Sequence, residues 1–244
     1  MLFIWNIPAF ILSLHIGYNY IITALLFFGI PAGYLSWQNK KLAKSVTSIA
    51  LTFIIPLTFI ADYLAHADGA WQNISVTGVK LLGVYPIEDF LWGFLYFYYV
   101  IIFYEYFFNG TLQKIRKLNN IYSTKIPLIS VAVFTLFILL FSNKIRVPYF
   151  YTLWLLSCFV VIPILIYFKR REIIKDSLKI TLVSWFAGGL YEYAAHLMHN
   201  WVFPGKHFIG HIQILGANFP VEELMFLLLN VPAMIAYYEL SQGT

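Results

Sequence analysis

Apolar runs of about 20 residues, separated by short polar stretches, recur along the whole chain. A run of that length crosses the hydrocarbon core of a bilayer as a helix. The runs lie at 18–37, 46–66, 86–108, 125–142, 148–168, 178–199 and 220–240. A shorter run at 2–16 holds Asn6, Pro8 and His15 and counts as an eighth at most. The pattern predicts an all-α integral-membrane protein, a bundle of seven or eight transmembrane helices. Pro31, Pro56, Pro163 and Pro232 fall inside runs, where they predict kinks that neighbouring helices accommodate.

Composition supports the same reading. Of 244 residues, 61% are hydrophobic and 11% charged, whereas soluble domains carry roughly 25% charged residues. A water-soluble enzyme and a disordered chain are both excluded. The net charge of +5 does not point to nucleic acid, because the Lys and Arg residues sit in short loops. With eight spans, 12 of the 16 fall on one side, and only Lys80, Lys144, Arg146 and Lys206 on the other. That asymmetry makes the first side cytoplasmic and predicts a multi-pass protein of the cell membrane. Both termini are then cytoplasmic; with seven spans the N-terminus lies outside. No basic stretch precedes the first apolar run, so no removable signal peptide is expected. Cys158 stands alone, so an intramolecular disulfide is impossible, and a small inert hydrophobe is expected there.

The scarce polar residues repeat. A shift of 130 superposes Asp62 on Glu192, Tyr63 on Tyr193, Ala65 on Ala195, His66 on His196 and Trp71 on Trp201. A shift of 134 superposes Pro86 on Pro220, Glu88 on Glu222, Asp89 on Glu223, Tyr104 on Tyr238 and Glu105 on Glu239. Eight of the 11 acids fall in these pairs. Two tandem homologous halves are expected, 1–115 and 116–244, each with an even number of helices and so of one orientation.

The sharpest chemical feature is a proline followed by paired acids at a span entry, Pro86–Asp89 and Pro220–Glu223. Proline suits the first helical position and acids suit the helix N-terminus, so capping alone accounts for one copy. The doubling, repeated in both halves at the edge of a bilayer, favours function. Two adjacent carboxyls with little water do not both ionise easily. They titrate as a unit and leave a proton donor beside apolar surroundings. Glu88 and Glu222 are the expected principal acid and base, with Asp89 and Glu223 tuning them.

A second set closes the preceding span. Asp62 and His66 are four apart, and Glu192, His196 and His199 fall at i, i+4 and i+7, each set on one helical face. Asp62, His66, Glu192 and His196 are expected to form a supporting acid–base shell. With His207 and His211 the cluster admits iron or zinc, but the first half contributes only His66, so no metal and no cofactor is expected. The roles of His199, His207 and His211 stay open. Glu105 and Glu239 follow Glu88 and Glu222 by 17 residues, about 25 Å along a helix, and anchoring at the opposite interface is expected. Phe90, Trp92, Trp71, Trp201 and Phe226 surround the acids, where ring faces stabilise a passing cation. No glycine-rich nucleotide loop occurs and no serine-hydrolase elbow.

The doubled P-x-E-[ED] motif resembles the lycopene cyclase domain of the membrane carotenoid cyclase family, in its fused, two-half form. Each copy follows an acid–x–x–Ala segment and a Trp. The pieces are 62–65 with Trp71, Leu82, Gly83, Pro86, Glu88 and Asp89, then 192–195 with Trp201, Leu215, Gly216, Pro220, Glu222 and Glu223. The chain departs from the pattern in the Asp of its first doublet and in the His-containing insertion 206–211.

The resemblance implies acid-initiated, non-redox cyclisation of the ψ-end groups of lycopene, β-carotene being the expected product. The substrate is taken from the bilayer, without a cofactor. A carotenoid end-group hydratase, a membrane His/metal hydroxylase and a transporter remain as alternatives. Ring type, substrate length and homo-oligomerisation are left open.

Overall fold

The computed structural model describes residues 4–17, 19–81, 83, 85–108, 129, 133, 136, 140 and 146–241. Seven helical segments are numbered here in chain order: α1 Asn6–Ile16, α2 Tyr20–Gln38, α3 Lys40–Asp68, α4 Ile87–Phe107, α5 Phe150–Lys169, α6 Ile174–Leu197 and α7 Val221–Ser241. Five of them, α2, α3, α4, α5 and α7, are long and apolar enough to cross a membrane. The 24-residue α6, where a span was expected at 178–199, falls outside that set. The expected span 125–142 lies outside the described residues except for Ile129, Val133, Leu136 and Leu140. These four are helical and exposed, and their 4-3-4 spacing sets them on one face.

The expected kinks take a particular form. In α2 the stretch Leu25–Gly29 is a π turn, and in α5 so is Leu155–Val161. Pro31 and Pro163 follow these turns at the start of regular helix. A proline lacks the N–H that would bond the carbonyl four residues earlier, and a wider turn accommodates that gap. Pro56 and Pro232 remain inside α3 and α7. Asparagine side chains cap α2 and α3. Asn19 accepts from the Ile22 N–H and Asn39 from the Leu42 N–H, each at 3.1 Å, as N-caps do.

The centre of the bundle is α4, whose residues 96–105 are all buried, as befits a helix surrounded on every side. α7 packs against it and contributes Val231, Ala233, Ile235 and Ala236, all fully buried. Large aliphatic side chains such as Leu165 and Leu182 point outward, 58% and 65% exposed. Water disfavours such a surface and lipid does not.

The loops after α3 and α6 are not wholly irregular. Three two-stranded antiparallel ribbons join β1 (Gln72–Asn73) to β4 (Trp201–Val202), β2 (Lys80–Leu81) to β3 (Tyr85–Pro86), and β5 (His211–Ile214) to β6 (Ala217–Pro220). The all-α expectation is amended to that extent. In the first ribbon Gln72 pairs with Val202, 130 residues on. Nearby, the Gly205 N–H donates to the Gly69 carbonyl at 2.8 Å. A Cβ on Gly205 would stand 2.7 Å from that carbonyl oxygen, so only glycine permits the approach.

Candidate functional site

Beneath these ribbons, at the end of α3 and the start of α4, lies a cavity of about 80 Å³. It holds four carboxyl groups: Asp62 from α3, Asp89 from α4, Glu192 from α6 and Glu223 from α7. All four residues are at most 9% exposed. The rest of the wall is apolar and aromatic, with Trp71, Trp92, Trp154, Trp201, Phe226 and Tyr96 prominent. The rings interlock: Trp92 meets Trp201 edge-on at 5.4 Å and Trp71 meets Tyr151 edge-on at 4.9 Å. Trp154 stacks on Phe226 at 6.1 Å.

The acids are arranged as two pairs. Asp62 and Asp89 act on one another across α3 and α4, and Glu192 and Glu223 meet across α6 and α7. The Trp71 indole N–H donates to Asp62 Oδ1 at 3.1 Å, and the Asn73 amide donates to Asp89 Oδ1. Tyr151 donates its hydroxyl hydrogen to Glu223 Oε2 at 2.7 Å. Glu192 Oε2 and the indole nitrogens of Trp92, Trp154 and Trp201 are buried without a hydrogen-bond partner among the described residues.

Glu88 and Glu222, the first acids of each doublet, do not line this cavity. Glu88 Oε1 accepts from the Thr77 N–H at 2.6 Å and from the Ser75 hydroxyl at 3.1 Å. Glu222 Oε1 accepts from the Thr152 hydroxyl at 2.6 Å and the Ile209 N–H at 2.7 Å. Both are buried, and both tie down the loop that covers their helix start. Successive helical residues point about 100° apart, so one acid of a doublet turns to the cavity and the other to the loop.

The remaining expected residues divide. Trp71, Trp92, Trp201 and Phe226 line the cavity, whereas Phe90 does not and packs at the edge of the core. His66 also stays outside; its Nδ1 lies 2.7 Å from the Asp62 carbonyl oxygen, so it steadies the backbone that presents Asp62. His196 packs on Phe219 at 4.5 Å. His207 Nδ1 lies 2.9 Å from Asp68 Oδ1, and Asp68 Oδ2 also accepts from the Phe150 N–H. His211 stands edge-on to Phe208 at 5.3 Å. Among the described residues no three His, Cys, Asp or Glu side chains come together as a metal set.

Sequence reasoning passed over Tyr20, Asn73, Tyr96, Tyr151 and Trp154, which also line the cavity. A signal existed for two of them. Tyr20 and Tyr151 each stand 11 or 12 residues before the proline of a kinked helix, Pro31 and Pro163.

Chemically, the site sets proton donors and acceptors side by side in an apolar chamber walled by ring faces. Such rings attract a cation once it forms. No protein-family model, curated protein or solved structure matches the chain.

Proposed function

We propose that the chain is a lycopene cyclase-type enzyme that closes the ψ-end groups of lycopene by protonation within the membrane. The observation that carries this reading is the four-carboxyl cavity, Asp62, Asp89, Glu192 and Glu223, walled by indole and phenyl rings. A carboxylic acid delivers a proton to the terminal double bond of the substrate and leaves a tertiary cation. The next double bond along attacks that cation and closes a six-membered ring. A carboxylate then removes a proton from the ring cation, and electrons balance without a redox partner. Paired acids in differing surroundings are the minimum apparatus for such chemistry.

This reading moves the acid–base work from Glu88 and Glu222 to Asp89 and Glu223, with Asp62 and Glu192 as their direct partners. A water molecule needs about 10–15 Å³ on the same measure, so a cavity of about 80 Å³ admits an end group rather than a whole polyene. The rest of the chain then lies along the bundle in lipid.

On this reading the chain is two tandem halves of four helices each. In that arrangement α1–α4 form the first half, and the segment 125–142, expected to span, joins α5–α7 in the second. The two π turns start 130 residues apart, and α4 and α7 have equal lengths. The tally of basic residues sets the cavity on the non-cytoplasmic side of a multi-pass cell-membrane protein.

Expression in a lycopene-accumulating bacterium tests the reading. A cyclic pigment of unchanged mass and shorter-wavelength absorbance is expected. A product heavier by one water indicates a hydratase, and one heavier by an oxygen atom indicates a hydroxylase. Unchanged lycopene, with the protein inserted in the membrane, overturns carotenoid end-group chemistry and leaves the transporter reading.

A further inference from the structure

The two carboxyl pairs occupy equivalent positions, but their hydrogen-bond partners differ in kind. Asp62 and Asp89 each receive a hydrogen from nitrogen, the Trp71 indole and the Asn73 amide. Those N–H groups donate and do not accept, so they match a carboxylate oxygen and strengthen when it is charged. The second half has no counterpart to either bond. The shift of 130 sets Trp201 against Trp71 and Phe203 against Asn73. Trp201 Nε1 has no partner among the described residues, and a phenyl ring has no donor. Glu223 meets the Tyr151 hydroxyl, which both donates and accepts, much as Asp89 faces the Tyr20 hydroxyl, and Glu192 is the other carboxyl of its own pair. Glu192 Oε2 and Asp89 Oδ2 each lack a donor among the described residues, so the pairs differ in the N–H donors at Asp62 Oδ1 and Asp89 Oδ1. Two facing carboxyls in an apolar chamber do not both ionise easily, and the pair that lacks N–H donors is the one that keeps a proton.

We propose that the halves have divided the reaction, Glu192 and Glu223 giving the proton to the olefin and Asp62 and Asp89 taking one from the ring cation. This assignment rests on the cyclase reading. The O–H bond of the Glu223 carboxyl breaks as a C–H bond forms at the terminal double bond. After ring closure a ring C–H bond breaks, its electron pair becomes the ring double bond, and the proton passes to Asp89. One proton leaves the second pair for each that the first pair gains, and return across the shared cavity resets the enzyme. Asn73 and Tyr151 are positioning residues, one for each step.

Membranes containing the full chain, supplied with lycopene in deuterated water, separate the two steps. Deuterium in the carotenoid reports protonation, and the identity of the ring or hydrated product reports deprotonation. Glu223→Gln is expected to abolish deuterium entry. Asp89→Asn is expected to retain it while the product changes to ring isomers or a hydrated chain, the fates of a cation without its base.

Milder variants keep the carboxyls and guard against loss of folding. Tyr151→Phe is expected to slow deuterium entry about tenfold, the worth of one hydrogen bond, with the ring unchanged. Asn73→Ala is expected to leave entry within about twofold, far below the loss of a general acid, and to alter the product. Altered products from Glu223→Gln or Tyr151→Phe, or blocked entry with an unaltered product in Asp89→Asn or Asn73→Ala, overturns the division. A wild-type chain that forms no ring overturns the cyclase reading instead.

Discussion

Tyr104 on α4 donates its hydroxyl hydrogen to Glu239 on α7 at 3.0 Å. The reverse bond also exists, Tyr238 on α7 donating to Glu105 on α4 at 2.7 Å. The same 134-residue offset links the two tyrosines and the two glutamates. Midway along the same helices Tyr96 donates to Asn230 at 3.0 Å, again 134 residues away. These bonds run from beside the cavity to the far end, so α4 and α7 meet along most of their length. Glu105 and Glu239, expected as interfacial anchors, are only 6% and 5% exposed and lock the helices together. Arg170 closes the end, its Nη1 lying 3.1 Å from Glu239 Oε2.

Loss of either tyrosine hydroxyl should therefore weaken the bundle and spare the chemistry. Tyr104→Phe and Tyr238→Phe should each cost about 1–2 kcal/mol, the range for a hydrogen bond whose partner stays buried. Thermal unfolding in detergent reads the loss, and lycopene conversion at permissive temperature should be unchanged. Equal loss of conversion and stability contradicts a purely structural lock.

Much of this was legible in the chain, because lipid enforces simple rules. The segments Tyr20–Gln38, Ile87–Phe107 and Val221–Ser241 fall within two residues of the expected runs. What the chain could not show is which acid of each doublet turns inward. From Asp89 the positions at i+3, i+4 and i+7 are Trp92, Gly93 and Tyr96, which line the cavity. From Glu88 they are Leu91, Trp92 and Leu95, an equally apolar face in an α4 that is apolar all round. Periodicity distinguishes faces only where one of them is polar. Asn73 and Tyr151 were hidden for another reason: their partners lie 16 and 72 residues away, and no local pattern marks such contacts.

The two acids of each doublet should separate by the kind of damage their loss causes. Glu223→Gln should lower lycopene conversion at least about 100-fold, the usual worth of a positioned acid or base, and Asp89→Asn should lower formation of the wild-type ring by as much. Glu88→Gln and Glu222→Gln should act through the loops they hold. Each leaves an N–H facing an amide, costs about 1–3 kcal/mol of stability, and retains more activity than its neighbour's replacement. Conversion rates and unfolding midpoints of the four variants check this; a greater activity loss at Glu88 or Glu222 reverses the assignment.

Gly93 marks a close approach of α3 to α4. A Cβ there would lie 2.8 Å from Thr58 Cγ2, and both residues line the cavity. Gly93→Ala should cost about 1–3 kcal/mol through overpacking and should narrow the chamber, lowering conversion. Thr58→Ser, which removes the obstructing methyl, should restore both in the double variant. Absence of rescue contradicts the contact.

The insertion 206–211 is fastened by His207 on Asp68, and Asp68 in turn holds the first turn of α5 through the Phe150 N–H. His207→Ala should release the loop and increase its cleavage by protease in intact membranes, with little change in the unfolding midpoint. Asp68→Asn should do the same and also loosen α5. Unchanged cleavage in both variants contradicts a fastening role.

The most direct measurement is conversion of lycopene by the purified full chain in liposomes, with no nucleotide, flavin or metal added and chelator present. We expect a cyclic carotenoid of unchanged mass from the wild type and none from the variant with Asp62, Asp89, Glu192 and Glu223 all replaced by amides. Untouched lycopene with a correctly inserted wild type, or ring formation by the amide variant, contradicts protonation by the buried carboxyls.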